Sequence, residues 1–225
     1  AGRNGREPTK VDLLGGFQLN SSNLASIQNE EVKPEYVNDY ELGLNFNHPK
    51  LSGQVNGFFM QFENEIAPIG EFVPQGFLQL RKNMPSSYRA GIEMDFNLKI
   101  TEGLKFTGNA TYMKAEIERY EPEGGQVYRN VTPALSPELM GNGTLTYSFL
   151  KRLSLSASIR YLSESYLEPT NNEQFKAPEF FVADASLAIR FSKKSQLDFF
   201  VNNIFDERYF TNGAPVDTDF DGAFD

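Results

Sequence analysis

The stretch SSYRAGIEMDFNLKI at residues 86–100 decides the fold, because apolar and polar residues alternate along it almost without error. Its apolar positions are Tyr88, Ala90, Ile92, Met94, Phe96, Leu98 and Ile100, and its polar positions are Arg89, Glu93, Asp95, Asn97 and Lys99. Successive side chains of a β-strand point to opposite faces, so a period of two residues predicts a strand with one apolar and one polar face.

The same alternation recurs along the rest of the chain, clearly at 40–46, 153–161 and 181–191 and less clearly elsewhere. We predict eight strands, at 36–48, 51–63, 86–100, 104–118, 134–149, 153–167, 179–191 and 196–205. Residues 58–62 (FFMQF) are apolar on both faces, which predicts a bulge or a lumenal contact with another element. The pair Asn142 and Gly143 is typical of a hairpin turn, but splitting the strand there would leave two pieces too short to cross a membrane.

Very short turns and longer polar loops alternate between these strands. The short joints are His48–Lys50, Thr101–Gly103, Leu150–Arg152 and Ser192–Ser195, and the longer ones are Asn64–Pro85, Arg119–Thr132, Glu168–Pro178 and the tail from Asp206. Bacterial outer-membrane barrels have short periplasmic turns and longer extracellular loops, and a tilted strand needs roughly 9 to 11 residues to cross a bilayer. The pattern therefore favours an antiparallel transmembrane β-barrel over the alternative, a soluble ligand-binding β-sandwich.

The composition narrows the possible partners. A formal net charge of -9 argues against a nucleic-acid surface, which needs clustered Lys and Arg. Cysteine is absent, which fits an oxidising compartment. We predict no enzymatic activity, because the only histidine, His48, lies in a short turn and no nucleophile elbow is present.

The side of the membrane on which each turn lies also indicates whether the sequence contains a complete barrel. If the short turns are periplasmic, the strands at 36–48 and 196–205 place both chain ends outside, whereas complete barrels have periplasmic termini. We therefore expect further strands before Ala1 and after Asp225, and we expect that residues 1–225 alone do not insert as a stable barrel, because an open sheet edge in lipid leaves backbone groups unpaired.

Four stretches, in order along the chain, resemble the C-terminal part of the barrel of TonB-dependent outer-membrane receptors. They are GREPTKVDLLGG (5–16), KPEYVNDYELGLNF (33–46), YRAGIEMDFNLKI (88–100) and VNNIFDERYF (201–210). The resemblance implies a 22-stranded barrel, closed by an N-terminal plug domain, that imports ferric siderophores or other scarce nutrients with energy from the TonB complex. It implies that the plug, the TonB-contacting segment and the last strand lie outside this sequence, and that the eight strands are roughly the fourteenth to the twenty-first.

The resemblance also implies that ligand is recognised by extracellular loops and the upper lumen. The cations and aromatic residues available there are Arg81, Lys82, Tyr120, Tyr128, Arg129, Tyr209 and Phe210. They suit an anionic or catecholate-bearing iron chelate, most simply a ferric siderophore. A passive porin-like channel is the alternative function.

Acidic residues bear on two candidate partners. The tail DTDFDG places Asp217, Asp219 and Asp221 at the first, third and fifth positions of an EF-hand-like loop, but the twelfth position, where a bidentate Glu belongs, would fall beyond Asp225. We therefore predict no cofactor and a solvated acidic loop, with a calcium site at these three aspartates as the alternative. Acidic loops could also contact lipopolysaccharide through divalent cations. The chain is thus predicted to reside in the outer membrane of a Gram-negative bacterium, in contact with its lipid and lipopolysaccharide.

Overall fold

The computed structural model describes residues 1–9, 12, 32–72, 79–121, 126–149 and 152–210. Within these residues the chain forms a ten-stranded sheet and a separate two-stranded sheet, and every strand pair is antiparallel. The all-β antiparallel fold predicted from the sequence is confirmed. Within the described ranges, no helix is both long and apolar enough to span a membrane.

The strands are β1 (Gly2–Arg6), β2 (Glu35–His48), β3 (Leu51–Phe72), β4 (Gln79–Lys99), β5 (Leu104–Tyr120), β6 (Tyr128–Val131), β7 (Leu139–Phe149), β8 (Leu153–Leu162), β9 (Ser165–Tyr166), β10 (Lys176–Ala177), β11 (Phe180–Arg190) and β12 (Gln196–Val201). The large sheet runs in the order β1-β2-β3-β4-β5-β7-β8-β11-β12, with β6 paired to β5, and β9 pairs with β10. Neighbours in sequence are therefore neighbours in space, as in an up-and-down meander.

The strands extend into segments that the sequence pattern assigned to loops. In the predicted loop 64–85, β3 and β4 continue to pair, from Glu65 opposite Met84 to Phe72 opposite Gln79. The predicted loops 119–132 and 168–178 likewise contain most of the β5–β6 pair and part of the β9–β10 pair. Backbone pairing does not require an apolar face, so a polar hairpin can extend beyond the residues where hydrophobicity alternates.

Other strand boundaries differ for local reasons. β1 was not predicted as a strand, because its five residues GRNGR carry no apolar alternation. β7 begins at Leu139 rather than at 134, since Pro137 lacks a backbone donor and Leu135 has a φ of 53°. β12 ends at Val201 because the next turn places Asn203 at a φ of 51°.

The two irregular places in the sequence lie in continuous strands. Register is unbroken through residues 58–62, so no bulge occurs there. The ring of Phe58 lies on the polar face and covers Gly91. A side chain at position 91 would leave no room for it, because a Cβ there would lie 2.7 Å from the ring of Phe58. Asn142 and Gly143 stay within β7, paired on both sides, as predicted.

Residues that pair from strand to strand form a row across the sheet, and this row is oblique to the line that joins the short turns. It runs through His48, Leu51, Leu98, Phe106, Leu145, Ala157, Ala185 and Val201. The row starts at His48, beside the first turn. On β11 it passes through Ala185, several residues before Arg190, the last paired residue before the final turn. This stagger of about one residue per strand, at about 3.3 Å per residue and about 4.8 Å between strands, corresponds to a strand tilt of roughly 35°.

Register keeps like side chains on the same face across the sheet. The apolar face carries Tyr40, Leu42, Leu44, Val55, Phe59, Ile92, Met94, Phe106, Tyr112, Leu145, Tyr147, Leu155, Ile159, Leu187, Leu197 and Phe199. The polar face carries Glu41, Asn45, Gln54, Asn56, Glu93, Asp95, Asn109, Thr111, Asn142, Thr144, Thr146, Ser154, Ser156, Ser158, Asp184 and Ser186.

The apolar face is not covered by another layer in the described part of the chain. Leu42 and Leu44 are 80% and 73% exposed, and the second sheet has only two short strands. A soluble β-sandwich would bury such a face against a second sheet. The described residues therefore do not form a β-sandwich by themselves.

We call the edge of the sheet that carries the long hairpins the loop end. The buried hydrophobic cluster lies at this edge, beyond the apolar face. It consists of Ala67, Met84, Ile117, Tyr120 and Val131, with Tyr128 packed against it. The opposite edge, with the short turns at 49–50, 101–103 and 191–195, is the turn end. The cluster joins the β3–β4 hairpin to the β5–β6 hairpin.

The two faces predict opposite responses to the same new charge. Leu145→Arg places a cation on the apolar face and, if that face meets lipid, should cost about 2 to 4 kcal/mol in the unfolding free energy of the full-length protein in lipid vesicles. Thr144→Arg, one residue away on the polar face, is the matched control and should be tolerated. Equal losses in a denaturant titration would contradict a lipid-facing apolar surface.

Candidate functional site

At the loop end, a chain of charged groups ties the N-terminal segment to the sheet. The carboxylate of Asp12, whose side chain is only 1% exposed, lies 3.5 Å from Arg6 Nη1 and 3.2 Å from Arg81 Nη1. Arg6 Nε in turn lies 3.5 Å from Glu35 Oε1, and Glu35 Oε2 accepts a 2.8 Å hydrogen bond from the backbone of Ile66. These contacts connect β1, β2, β3 and β4.

Asp12 is also held by its own neighbours. The backbone N–H and the hydroxyl of Thr9 each donate to its carboxylate at 2.8 Å, and Asp12 N donates to Thr9 Oγ1 at 3.3 Å, which is the reciprocal pattern of a capping box. Burial by itself would raise the pKa of Asp12. The hydrogen bonds from Thr9 and the guanidinium groups of Arg6 and Arg81 outweigh burial, so the pKa of Asp12 lies below its ordinary value.

A second buried carboxylate links the outer parts of β3 and β4. Glu65 accepts hydrogen bonds from the hydroxyl of Ser87 and, at 2.5 Å, from Arg89 Nη2. The guanidinium of Arg89 lies 4.5 Å from the ring centroid of Phe62, a cation–π contact. Asn64, with a φ of 55°, precedes Glu65 and interrupts the strict alternation of the strand, so the carboxylate reaches groups on the polar face.

Two loops dock on each other between β6 and β11. The side chain of Asn171 accepts from Thr132 N at 2.6 Å and donates to Thr132 O at 2.8 Å, so it pairs with that residue as another strand would. Buried Glu168 accepts from Thr170 N, Thr170 Oγ1 and Asn172 N at 2.6, 2.6 and 3.1 Å. The loop that contains β9 and β10 is therefore fixed to its neighbour by directed hydrogen bonds.

The exposed side of that loop carries a small charged cluster. Lys176 Nζ lies 2.8 Å from Glu164 and 2.9 Å from Glu173, and these carboxylates raise the pKa of Lys176. Hydrogen bonds from Lys176 and from the hydroxyl of Tyr166 lower the pKa of Glu173. The cluster staples β9 to β10 and leaves the Lys176 ammonium already paired.

A turn shaped by Asn203 follows β12. Its side chain accepts from Glu207 N at 2.9 Å and donates to Glu207 O at 3.0 Å, while its backbone N–H donates to Asp184 at 2.8 Å. This turn brings Tyr209 onto Phe180, with ring centroids 4.5 Å apart. Asn203 of the stretch VNNIFDERYF thus has a structural role in shaping this turn.

The polar face holds a shallow open depression of about 510 Å³ between β2 and β5. Three carboxylates, those of Glu41, Glu93 and Asp95, line it together with amide side chains such as Asn56 and Asn109. No group of three or more His, Cys, Asp or Glu residues suited to a metal ion occurs in the part of the chain that the structure describes. The acidic tail with Asp217, Asp219 and Asp221 falls outside those residues, so the calcium alternative there stays untested.

The structure gives the seven predicted ligand-binding residues different surroundings. Tyr120 is fully buried in the hydrophobic cluster, and Tyr128 is half-buried beside it, with ring centroids 6.2 Å apart. Arg81 is engaged with Asp12, and Lys82 lies in β4. Arg129 is exposed on β6, Tyr209 stacks on Phe180, and Phe210 is 67% exposed. Ligand contact by these residues stays a prediction.

Sequence reasoning did not identify Asp12, Glu35, Glu65, Arg89 or Asn171 as residues that organise the loop end. The Thr9-x-x-Asp12 spacing was the one available signal, because it matches a capping box. The other contacts join residues distant in sequence, such as Asn171 and Thr132. His48 lies in the first turn, as predicted, where its Nδ1 accepts a 3.4 Å hydrogen bond from Lys50 N.

Comparisons with known proteins agree on one family. The family model for the TonB dependent receptor-like β-barrel matches residues 1–204. The chain is 24% identical over 204 residues to the ferric enterobactin receptor of Pseudomonas aeruginosa, covering 82% of this chain and 26% of that protein. It is 23% identical over 212 residues to a probable TonB-dependent siderophore receptor, PiuA, of Acinetobacter baumannii, covering 89% and 27% respectively. The chain thus spans about a quarter of the length of these relatives.

Solved structures share the fold. The copper transporter OprC superposes with a TM-score of 0.70 at 19% identity, covering 92% of this chain and 30% of that one. The siderophore receptor PiuA from Acinetobacter baumannii gives a TM-score of 0.64 at 21% identity, covering 86% and 27%. At these identities the likeness concerns the fold.

The buried ion pair at Glu65 should stabilise the loop end far more than its exposed neighbour. Glu65→Ala leaves Arg89 without its partner and should lower the unfolding free energy of the full-length protein by about 3 kcal/mol. Glu63→Ala, two residues earlier, removes an exposed pair with Arg3 and should cost less than about 1 kcal/mol. Similar costs for the two variants in denaturant unfolding would show that burial does not matter here.

Asp12 should make stability depend on pH in the acidic range. Because its folded pKa is lowered, its contribution is fully present above the unfolded value near 3.8 and is lost as the pH falls through the folded pKa. The difference in unfolding free energy between wild type and Asp12→Asn should therefore be large at pH 7 and shrink well below pH 3.8. Exposed Glu7→Gln should show little difference at either pH; a constant difference for Asp12→Asn would contradict this.

Proposed function

Because the chain belongs to the TonB dependent receptor-like β-barrel family, we propose that it forms part of the wall of an outer-membrane receptor that imports a ferric siderophore. The observation that carries the proposal is the exposed apolar face, continuous across the sheet and backed by a polar face. One relative is named as a ferric enterobactin receptor and another as a probable TonB-dependent siderophore receptor, which supports the choice of cargo.

The dimensions of the apolar face suit a bilayer. On β2 the face runs from Tyr36 to Phe46, which is about 33 Å of strand and, at the roughly 35° tilt, about 27 Å along the barrel axis. The apolar band of outer-membrane barrels is about 25 Å tall. The rings of Tyr36 and Phe46 lie at the two ends of this face, as interfacial aromatic residues do in membrane barrels.

In the proposed receptor the turn end lies in the periplasm and the loop end lies outside the cell. The polar face lines the lumen and faces a plug domain, and TonB supplies the energy for uptake. The cross-bracing through Asp12, Glu65 and Asn171 keeps the outer hairpins ordered, so that exposed groups such as Arg129 and Phe210 are presented to an anionic chelate. The receptor transports its ligand without changing it chemically.

Transport by a receptor differs from leakage through a porin in its energy requirement. A strain that lacks the full-length protein, grown under iron limitation on a panel of ferric chelates, should fail on at least one chelate that the complemented strain uses. Uptake of that radiolabelled chelate should stop when TonB is inactivated. Uptake that persists without TonB would identify a passive channel, and unchanged growth on every chelate would reject iron import.

A further inference from the structure

The turn end of the sheet is basic, although the chain as a whole carries a formal net charge of -9. In the described segments 48–51, 99–105, 152–153 and 190–196, the charged side chains are Lys50, Lys99, Glu102, Lys105, Arg152, Arg190, Lys193 and Lys194. Glu102 is the only carboxylate in these segments. Such a concentration of one sign produces a local positive potential.

Three of these lysines surround a pocket. A cavity of about 310 Å³ lies between the first and second turns, and Lys50, Lys99 and Lys105 line it. One carboxylate, that of Glu102, also lines it, and its neutral hydrogen-bonding side chains are those of Ser52, Asn97, Thr101, Thr146 and Ser148. Ser52, Asn97, Lys105, Thr146 and Ser148 share the polar face by register, so the pocket belongs to the side that would line the lumen.

Backbone hydrogen bonds hold the walls of this pocket in place. Lys99 N donates to Lys50 O at 2.8 Å, which fixes the first turn to β4, and Ser148 N donates to Gly103 O at 2.7 Å, which fixes the second turn to β7. Gly103 allows the close approach, because a Cβ there would lie 2.6 Å from Ser148 O. The pocket is therefore largely formed before any ligand arrives.

The ammonium groups that line the pocket have little competition from carboxylates. Lys99 pairs with Glu102 at 2.9 Å, but the Glu102 side chain is 94% exposed, and such pairs are weak. Lys50 and Lys105 form no ion pair within the part of the chain that the structure describes. The positive charges of these lysines are therefore available to bind an anionic ligand.

We propose that this pocket is an exit site, which binds the anionic iron chelate on the periplasmic side of the lumen as it leaves. The inference rests on the proposed function and adds a ligand class to it: a chelate with several ionised carboxylate or catecholate groups. The three ammonium groups attract these oxygens, while the hydroxyls and the Asn97 amide donate hydrogen bonds. An exit site lowers the barrier to departure without contributing to capture at the cell surface.

The test measures capture and uptake separately, in cells that express the full-length receptor. The probe is a radiolabelled, negatively charged ferric tris-catecholate; binding is measured in energy-depleted cells and uptake in energised ones. The variant Lys50→Gln/Lys99→Gln/Lys105→Gln should bind the probe with unchanged Kd and import it about five to ten times more slowly, since three weak ionic contacts are lost. The matching Lys→Arg triple variant should retain uptake.

The control removes three charges from the same edge, away from the pocket, as Arg152→Gln/Lys193→Gln/Lys194→Gln, and should behave as wild type. Surface abundance and folded state are checked for each variant by unheated gel electrophoresis. Equal uptake by the pocket and control variants, or loss of surface binding in the pocket variant, would overturn the exit site. A receptor that imports only neutral or cationic complexes would overturn it too and leave the proposed function standing, whereas absence of TonB-dependent uptake in wild type would reject both.

Discussion

The fold depends on backbone pairing that keeps one register across the two faces of the sheet from β2 to β12; the one shift, in the β3–β4 pair between Pro68 and Phe72, lies beyond the apolar face. Because side chains alternate along every strand, a fixed register places all apolar positions on one face and all polar positions on the other. A slip of one residue in any pair would move a whole strand's apolar set to the wrong side. In the proposed lipid environment the same hydrogen bonds satisfy backbone groups that would otherwise cost several kcal/mol each.

The loop end is held together by a different kind of interaction. Beyond the apolar face, the hairpins are joined by buried carboxylates such as Glu65 and Asp12 and by the amide of Asn171. These contacts are directional, so they position a hairpin more sharply than apolar packing does. The small cluster around Met84 and Ile117 adds packing where the hairpins meet.

The two ends of the sheet therefore differ in charge and in construction. The loop end combines acidic side chains with paired arginines, whereas three lysines and a single carboxylate line a preformed pocket at the turn end. In the proposed orientation, a chelate would meet recognition groups outside and a positive pocket at the periplasmic mouth. Opposite ends of one sheet would then serve capture and departure separately.

The sequence by itself determined the fold class, the two faces, the short turns and the family resemblance, because each depends on local periodicity or on short motifs such as Gly91-Ile92-Glu93. It did not determine the length of the outer strands, since polar hairpins pair through the backbone and show no hydrophobic period. Nor did it determine the candidate site: Tyr120 looked available but is buried, and Asp12 carried little signal but joins Arg6 to Arg81. Only the tertiary structure decided these points, because the contacts join residues far apart in the chain, and burial depends on which hairpins meet.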